Sequence, residues 1–547
     1  MIKYSRLYLC YLLFIPSLIN SQNFRYNIDD WYILTHPKAI NAITEDNFNL
    51  YFATDKGVFK YDKAMEDFVF DYQFSIYFKS PKIRHMVYDR FRDYFWVVHP
   101  GGISYKSSVS SIWREMSLTS SELFSYYEID DIGVSPKYIW FRSINKLFPF
   151  NPFSAIAANW EDAQVDIDFI KWGYSKYGIA GKNLDISSYS ILGDWSIGFD
   201  NITRKDGTSM HATLYMEDDD GNKWFGTTEG YVLKGWRHSS RLELITIGLP
   251  FDHVTTAYHD QEGSWWFVDS QFKRTGQLSN FGNYFNGNNT PFITQWHEVD
   301  NQWTYYTPEE SLLIEHTDVN AILRIGSTVY FGTMFGLLYL DLYNQDWNLI
   351  STTKGLNDAA VWAMVEHDGS IYVATSKGIN EISLVNHSVI PDNTNRYESL
   401  SRFNIYDMVT DSEFIYFATD NGLLKMDWKD GNVSTFSKKE FRKIKLNKNS
   451  IVGTDGSLWI IKDGMEEKHI MSNVHDFDIC GSYIWSSQGY RASLLDTSTA
   501  RVWEYSQEDG IPGEKIYGTI CDKDWVLFLT NSGVAFYNWE QYHHEKD

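Results

Sequence analysis

The fold is decided by one stretch of this 547-residue chain: Val361-Trp-Ala-Met-Val-Glu366, His367-Asp-Gly-Ser370, Ile371-Tyr-Val-Ala-Thr375 and the run from Gly378 to Leu384. Apolar segments this short, broken by Gly and Asp turns every few residues, favour β-strands over a helical period. The Asp-Gly pair between the first two segments is typical of a two-residue hairpin, which needs positive φ. The stretch therefore predicts three consecutive antiparallel strands.

The later part of this stretch recurs along the chain as an aromatic strand, a Thr-x-x-Gly turn and another apolar strand. Clear copies of the threonine and glycine are Thr54 and Gly57, Thr227 and Gly230, Thr333 and Gly336, Thr375 and Gly378, Thr419 and Gly422, and Thr530 and Gly533. The period is 42 residues from Thr333 to Thr375 and 44 from Thr375 to Thr419. A repeat of about 40–45 residues with four short strands is the signature of a β-propeller blade. The sequence therefore predicts an all-β fold built of propeller blades.

Degraded copies fill most of the remaining gaps and bring the number of units to twelve. These copies are Val98 to Gly101, Arg142 to Asn145, Ala180 to Asn183, Asp269, Ile461 to Gly464 and Ser486 to Gly489. Twelve blades exceed the roughly four to eight usual in one ring, so we expect two propellers of six to seven four-stranded blades each. We place the first in residues 22–275 and the second in residues 311–540. Residues 276–310, rich in Asn, Gly and Thr, would form a linker or long loop, and residues 541–547 a disordered tail.

The N-terminal segment Trp31-Tyr-Ile-Leu-Thr35 has the form of a fourth strand, like Trp347-Asn-Leu-Ile350, although no blade precedes it. The last unit, which ends near Tyr537, supplies only three strands. We therefore expect residues 23–35 to close the last blade of the second ring, which would leave no open edge. The first ring would then be partly inserted into the second.

The first 21 residues have the order of an export signal. Lys3 and Arg6 are followed by an apolar run from Leu7 to Ile19 and by the small residue Ser21. This run is too short to span a bilayer, and no later stretch is long enough, so we expect no membrane span. The mature chain would be exported to the periplasm, the cell surface or the medium.

Net charge and cysteine count exclude further classes of protein. A formal charge of −23 argues against nucleic acid as a partner. The three cysteines rule out a disulfide scaffold. Cys480 and Cys521 occupy like positions in neighbouring repeats, and export would permit a bond between them. Because like positions on adjacent repeats are often too far apart for a disulfide, two free, buried thiols are favoured.

The repeat resembles the two-component regulator propeller family, in which Gly-Leu-Pro, a strand, Asp-Gly, an aromatic strand and Thr-x-x-Gly follow one another. Lys354-Gly355-Leu356 through Gly378 matches nearly throughout, and the segments beginning at Gly248 and Gly510 are similar. The resemblance implies a sensor-type propeller outside the cytoplasm, in a family with many members linked to polysaccharide sensing. A spacer domain, a membrane span and a kinase do not follow Tyr537, which weakens the expectation that this chain signals by itself.

The sequence contains no recognisable catalytic motif, and we expect no cofactor and no metal site. The scattered histidines form no ligand-spaced cluster. The blades differ just after Gly-Leu, where the chain approaches the innermost strand, and variable loops on a constant scaffold often carry function. The candidate ligand contacts are Asp252, His253, Asn357, Asp358, Glu514 and Lys515.

Three functions remain open. The first is a binding or sensor module that presents channel-mouth loops to a glycan, a peptide or a partner protein. The second is a polysaccharide-acting lyase or hydrolase with carboxylates and His in a propeller channel, since such sites assemble from scattered residues. The third is a scaffold in an envelope complex. The absence of a catalytic phrase favours binding, an aromatic rim at a channel mouth would support it, and inward carboxylate and His clusters would support an enzyme. The oligomeric state is left open.

Overall fold

The computed structural model describes residues 31–543, except residues 70–81, 111, 117–128, 145, 155, 183, 194, 205–208, 271–292, 308–310, 312, 314–317, 449 and 463–464. The described strands form eleven sheets, ten of four or five strands and one of seven. The expected signal segment and most of the expected linker lie outside these residues. The all-β propeller prediction is confirmed.

Seven four-stranded sheets form a closed ring of blades, called the ring below. Its strands are, blade by blade, Thr256–His259, Ser264–Val268, Ile293–His297 and Gln302–Tyr306; Val319–Ile325, Thr328–Thr333, Gly336–Asp341 and Asp346–Ile350; Val361–His367, Ser370–Thr375, Gly378–Ser383 and Val389–Ile390; Ile405–Thr410, Phe414–Thr419, Gly422–Asp427 and Val433–Ser437; Lys443–Asn447, Ser450–Thr454, Ser457–Lys462 and Met465–Ser472; Asp476–Cys480, Tyr483–Ser487, Ala492–Asp496 and Val502–Tyr505; Ile516–Asp522, Trp525–Thr530, Gly533–Asn538 and Trp31–Leu34. The first strand of each blade is the innermost, and these strands pack side by side around the ring. The ring closes where Thr256–His259 contacts Ile516–Asp522.

The N-terminal strand closes the seventh blade, as the sequence predicts. Trp31–Leu34 pairs antiparallel with Gly533–Asn538, with Trp31 opposite Tyr537. Trp31 is 3% exposed and stacks on Tyr537 at a centroid distance of 4.8 Å. The chain between this strand and the first blade is therefore inserted into the ring.

The ring begins earlier than expected. Trp265 and Phe267 of the first blade share a core with Leu527 and Phe536 of the seventh. On its other face, the same blade packs through Trp266 against the second blade. The structure thus assigns to the ring residues that the sequence placed in the first propeller and the linker, because Ser264–Val268 and Ile293–His297 pair with each other in one blade.

The Thr-x-x-Gly phrase is a turn that joins the second and third strands. The hydroxyl of Thr419 donates to the carbonyl of Gly422 at 2.7 Å and accepts the backbone N–H of Asn421 at 3.1 Å. Gly422 has φ of 103°, and a Cβ there would lie 2.5 Å from the carbonyl oxygen of Ser437 on the outer strand. Backbone conformation and close approach therefore both require glycine. In the fifth blade this turn is Thr454 to Ser457, not the expected Ile461 to Gly464.

The inserted residues form four sheets around a central segment, called the plugged unit below. Its strands are, sheet by sheet, Ile40–Glu45, Asn49–Thr54, Gly57–Asp62, Asp67–Val69 and Tyr174–Ser175; His85–Asp89, Tyr94–His99, Gly102–Ser107 and Arg114–Met116; Asp131–Val134, Ile139–Ser143, Lys146–Phe150 and Lys171–Trp172; Ser190–Ile191, Trp195–Ile197, Asn201–Arg204, Ser209–Glu217, Lys223–Thr227, Tyr231–Gly235 and Arg241–Thr246. The two edge strands of the fourth sheet contact each other, so this sheet curls around a core of its own. The described residues of this unit therefore show four sheets where six to seven blades were expected.

Residues 171–181, called the plug below, run through the centre of this unit. Trp172 pairs with Gly133 of the third sheet, and Ser175 pairs with Ala42 of the first. A Cβ on Gly173 would lie 3.0 Å from the carbonyl oxygen of Met86 in the second sheet, and Ile179–Gly181 packs against the fourth. The expected repeat copy at Ala180 is therefore not a blade, because these residues belong to the plug and its 3-10 turn.

Short helices and the chain ends complete the fold. The helices are Trp160–Ala163, Gln164–Phe169, Ile179–Gly181, Thr352–Lys354, Glu398–Leu400, Gln507–Asp509 and Trp539–His543. The last of them covers part of the expected tail, and residues 544–547 lie outside the described part. Among the described residues, no helix has the length and apolar character needed to cross a membrane.

Cys480 and Cys521 form a disulfide, contrary to the favoured prediction of two free thiols. Their Cα atoms are 6.0 Å apart, within the range that a disulfide requires. Both cysteines lie on innermost strands, of the sixth and seventh blades, where neighbouring blades come closest together. The objection that equivalent positions are too far apart applies to the outer strands, which diverge. Both side chains are half-buried.

Candidate functional site

The mouth of the ring is the end that carries the Thr-x-x-Gly turns and the loops leading into the innermost strands. In four blades the register shifts at the second residue of the innermost strand, which is a β-bulge. The bulged residues are Asn320, Trp362, Tyr406 and Tyr517. Bulges re-aim a side chain and are frequent beside functional sites. Three aromatic side chains therefore occupy one structural slot at the mouth.

Tyr517 is the centre of a cluster at the seam between the seventh and first blades. Its hydroxyl lies 2.8 Å from Nδ1 of His253, and the two rings are 5.9 Å apart. The ammonium of Lys515 lies 4.9 Å from the centre of the Tyr517 ring. An aromatic face on an innermost strand thus lies beside an imidazole and a cation from the loops next to it.

Trp362 and Tyr406 make related contacts on the third and fourth blades. The indole Nε1 of Trp362 donates to the hydroxyl of Ser376 at 3.0 Å. The guanidinium of Arg442, from the loop that enters the fifth blade, lies 4.0 Å from the centre of the Tyr406 ring. Trp362 and Tyr406 are half-buried, like Tyr517, so part of each side chain remains exposed. The mouth therefore combines exposed ring surface with cations held close to it.

Two of the six candidate residues, His253 and Lys515, contact the same side chain, that of Tyr517. Glu514 is exposed, and its backbone N–H donates to Oδ1 of Asn531 at 3.0 Å. Asp252 lies at the junction with the plugged unit, where it forms an ion pair with Lys38.

Asn357 and Asp358 lie at the mouth of the third blade. The amide of Asn357 donates to the carbonyl of Ile379 at 2.9 Å, which fixes the loop. Asp358 accepts the backbone N–H of Ala360 and pairs with Lys377 at 3.2 Å. Burial raises the pKa of Asp358, but these contacts outweigh it and leave the pKa below its usual value. Asp358 therefore remains ionised at neutral pH.

The carboxylates below the mouth are engaged in holding the blades together. Asp476 pairs with Lys443 at 2.6 Å and accepts the backbone N–H of Thr519 at 3.0 Å. Burial lowers the pKa of Lys443, but Asp476 and the neighbouring carboxylates outweigh it and raise the pKa. Burial raises the pKa of Asp407, although its carboxylate accepts the backbone N–H of Ile444 at 2.9 Å. Each of these carboxylates thus bonds to the backbone of the next blade.

Sequence reasoning did not single out the three bulged aromatics, because a bulge depends on the register of two paired strands. A signal was present nonetheless. The slot holds asparagine in other sheets, at Asn41 and Asn320, where the amide donates to the next sheet's backbone. In those sheets the asparagine links two neighbouring sheets by a hydrogen bond. An aromatic residue at the same position cannot form that link in the same way, which indicates another role there. Within the described residues, no three His, Cys, Asp or Glu side chains are placed to hold a metal ion.

Known proteins resemble this chain in fold. No protein-family model matches it, and no curated protein sequence does. The extracellular domain of the putative hybrid two component system BT4673 from B. thetaiotaomicron is 12% identical over 91% of this chain and 70% of that one, with a TM-score of 0.39. PorZ, described as a surface component of the type-IX secretion system of Porphyromonas gingivalis, is 10% identical over 91% and 74%, with a TM-score of 0.44. Virginiamycin B lyase from Staphylococcus aureus is 13% identical over 52% and 94%, with a TM-score of 0.39.

At such identities the likeness concerns the fold alone. The propeller architecture itself rests on the blades of the ring, which are four-stranded antiparallel sheets.

Proposed function

We propose that this chain is an exported β-propeller binding or sensor module, and that the mouth of the ring receives a glycan, a peptide or a partner protein. The observation that carries the proposal is the recurrence of Trp362, Tyr406 and Tyr517 in one bulged slot. Half-buried rings on a rigid scaffold can stack against a ligand at a small cost in side-chain entropy. His253, Lys515 and Arg442 supply hydrogen bonds and positive charge beside the rings.

The ring is better suited to this role than the plugged unit. In the plugged unit the innermost strands of the first and third sheets pair with the plug. In the described part of the ring, each innermost strand is the edge strand of its sheet. A ligand can therefore approach the bulged residues of the ring from the channel.

The test compares the mature protein with the triple variant Trp362→Ala, Tyr406→Ala, Tyr517→Ala on a glycan array, a peptide array and purified envelope proteins. Loss of a stacked ring costs about 0.5–1.5 kcal/mol, so we expect each substitution to weaken binding roughly two- to tenfold. Tyr343→Ala is the matched control, because Tyr343 is 88% exposed on a turn at the other end of the ring. A ligand bound equally well by the triple variant would refute the mouth as its site.

A further inference from the structure

A small cavity opens in the plugged unit between its second and third sheets, away from the ring's mouth. Its volume is about 70 Å³, which is several times the space that one water molecule needs. The lining includes Arg92, Trp96, Tyr105, Arg114, Pro152 and Phe153. None of the described residues that line it is an aspartate or a glutamate. The wall of the cavity is therefore aromatic and positively charged.

The cavity lies where the third sheet has no complete outer strand. Lys146–Phe150 is an edge strand in the described part of this sheet. The chain then folds back along it for a short turn, in which the backbone N–H of Ala158 donates to the carbonyl of Pro149 at 2.8 Å. Pro152 and Phe153 lie in this turn and border the cavity. A turn covers less of the neighbouring sheet than a full strand does, so a gap remains between the two sheets.

Trp96, Tyr105 and Arg114 form a row across the second sheet, on the face that packs against the third. Trp96 lies opposite Tyr105 on the adjacent strand, and Tyr105 lies opposite Arg114 on the next. The rings of Trp96 and Tyr105 are stacked with their centroids 4.6 Å apart. Arg114 is therefore a cation at the outer end of a row of stacked rings.

The indole N–H of Trp96 is a hydrogen-bond donor without an acceptor in the wall of this cavity. Trp96 is 1% exposed, and its Nε1 is buried with no hydrogen-bond partner in the part of the chain that the structure describes. A buried donor that forms no hydrogen bond is costly to stability, so its retention needs an explanation.

Other sheets satisfy the tryptophan at the corresponding position of the strand before the Thr-x-x-Gly turn or its equivalent. There, Nε1 donates to a residue of the hairpin that precedes the strand: Trp140 to Ser135 at 2.9 Å, Trp224 to Asp218 at 2.8 Å and Trp266 to Asp260 at 2.9 Å. In the second sheet the hairpin carboxylate is Asp89, which forms an ion pair with Arg92. Nε1 of Trp96 is therefore left beside a cation that lines the cavity.

Trp485 of the sixth blade also has an unpaired Nε1, but its surroundings differ. It is 0% exposed and lies in the aromatic core that joins the sixth and seventh blades. Trp96 instead borders a space with two arginines beside it.

The two arginines have different freedom. The side chain of Arg92 is 8% exposed, and its guanidinium donates to the carbonyls of Ser135 and Pro136 at 3.0 and 2.8 Å. Arg92 is thus a fixed part of the wall. Arg114 is exposed and makes no ion pair within the described residues, so its charge is available to a ligand.

We propose that this cavity binds a carboxylate carried on a flat ring. The planar guanidinium of Arg114 matches the two oxygens of a carboxylate, and the N–H of Trp96 supplies a further donor. The half-buried ring of Tyr105 and that of Phe153, which is 79% exposed, offer faces for the ring of the ligand. An organic cation would meet two arginines and no carboxylate in the lining.

The test is an NMR titration of the full chain, labelled in its tryptophan side chains, with benzoate and with benzamide, which has the same shape and no charge. We expect benzoate to bind about tenfold more tightly or better, because a hydrogen bond to a charged acceptor is stronger than one to a neutral acceptor. The Nε1–H signal of Trp96, assigned with Trp96→Phe, should move downfield as the N–H gains an acceptor. Equal binding of the two compounds, or no binding of benzoate, would overturn the proposal.

Further probes identify the source and the geometry of the anion. Acetyl-phenylalanine represents the C-terminus of a peptide, and glucuronate represents a sugar acid. Whichever of these competes better with benzoate indicates the source of the carboxylate, and competition by neither indicates a free aromatic acid. Inorganic phosphate is the contrasting anion, and phosphate that binds more tightly than benzoate would contradict a carboxylate site.

The first variant tests the indole donor. Trp96→Phe keeps an aromatic ring and should weaken benzoate binding about tenfold or more, while the melting temperature stays the same or rises because an unpaired donor is removed. Trp224→Phe is the matched control, because its Nε1 is already bonded to Asp218. The control should lower the melting temperature and leave binding unchanged. Unchanged binding by Trp96→Phe, or an equal loss in the control, contradicts the role of Trp96.

The second variant tests the free charge at an exposed position, where folding is not at risk. Arg114→Gln should weaken benzoate binding about tenfold or more and remove its dependence on ionic strength. Arg241→Gln is the matched control, because Arg241 is also exposed and also begins a strand, Arg241–Thr246 of the fourth sheet. Benzoate binding that survives Arg114→Gln would refute the site.

This site and the mouth of the ring are tested independently. The triple variant Trp362→Ala, Tyr406→Ala, Tyr517→Ala should bind benzoate as the wild type does. Loss of benzoate binding in that variant would place the carboxylate at the mouth and contradict the cavity.

Discussion

The ring and the plugged unit use the same strand repeat to build different centres. The ring surrounds its axis with seven innermost strands, each an edge of its sheet in the described residues. In the described part of the plugged unit, Lys146–Phe150 is an edge strand of its sheet, and residues 171–181 pass through the centre. Arg142 and Arg84 hold the plug by stacking on Trp172 and Tyr177 at 4.0 and 3.9 Å. In the plugged unit the chain itself thus occupies the centre and pairs with the innermost strands. In the ring the innermost strands remain edge strands that face the channel.

The largest expected effect separates the stability of the two units. Deleting residues 31–34 removes the fourth strand of the seventh blade, and Trp31→Ala alone should cost about 3–5 kcal/mol, because Trp31 is buried. Hydrogen exchange measured by mass spectrometry should show faster exchange in the ring and little change in the plugged unit. Phe153→Ala, at a side chain 79% exposed, serves as the control. Equal loss of protection in both units would show that they unfold as one.

A second effect concerns the disulfide, which only the ring contains among the described residues. Cys480 and Cys521 are 41 residues apart in sequence, and a loop of that length corresponds to roughly 4 kcal/mol of stabilisation. Cys480→Ser with Cys521→Ser should therefore lower the melting temperature of the ring. A reductant should have the same effect on the wild-type chain and none on the double variant. An unchanged melting temperature in both experiments would contradict a structural role for the bond.

The smallest effect is a pH dependence of the plugged unit. Burial, only partly offset by Arg142, raises the pKa of Asp131 to about 6. The folded state then binds the proton more tightly than the unfolded chain does. The stability that protonated Asp131 contributes to the plugged unit is therefore present near pH 4 and is lost as the pH rises through 6. Asp131→Asn should stabilise the plugged unit at pH 7 by up to about 3 kcal/mol and flatten its stability between pH 4 and 6.

His85 acts in the opposite direction in the same unit. Burial lowers its pKa to about 3, so its contribution is present above pH 6.5 and lost as the pH falls toward 3. Melting curves of the wild type and Asp131→Asn from pH 4 to 7 separate the two groups. Asp162→Asn, on an exposed carboxylate, is the control. Parallel curves for wild type and Asp131→Asn would contradict the role of Asp131.

The blades were predictable because their signals are local. The Thr-x-x-Gly turn needs a hydroxyl and a glycine at fixed spacing, and the chain shows both at Thr375 and Gly378. The closing strand was also predictable, since the segment that begins at Trp31 resembles the fourth strands of other blades and the seventh blade lacks a fourth strand of its own. The plug was not, because residues 171–181 pair with strands far away in sequence and carry no repeat of their own.

The mouth was harder to foresee for the same reason. A bulge at Trp362 or Tyr517 depends on the register of two strands, and the amino-acid type at these positions does not predict it.

The closing strand sets the order in which this protein can fold. Residues 31–34 are made first, but their partner strand Gly533–Asn538 is made last, so the ring has one of the longest-range contacts the chain allows. Such contacts slow folding, because the chain loses the entropy of closing the loop before the strands gain their pairing energy. The plugged unit lies wholly within that loop and can fold while the N-terminal strand waits. Once the plugged unit has folded, the N-terminal strand lies near the start of the first blade. The flexible loop that must close before this strand pairs with Gly533–Asn538 is then shorter, so we expect the insertion to speed closure of the ring.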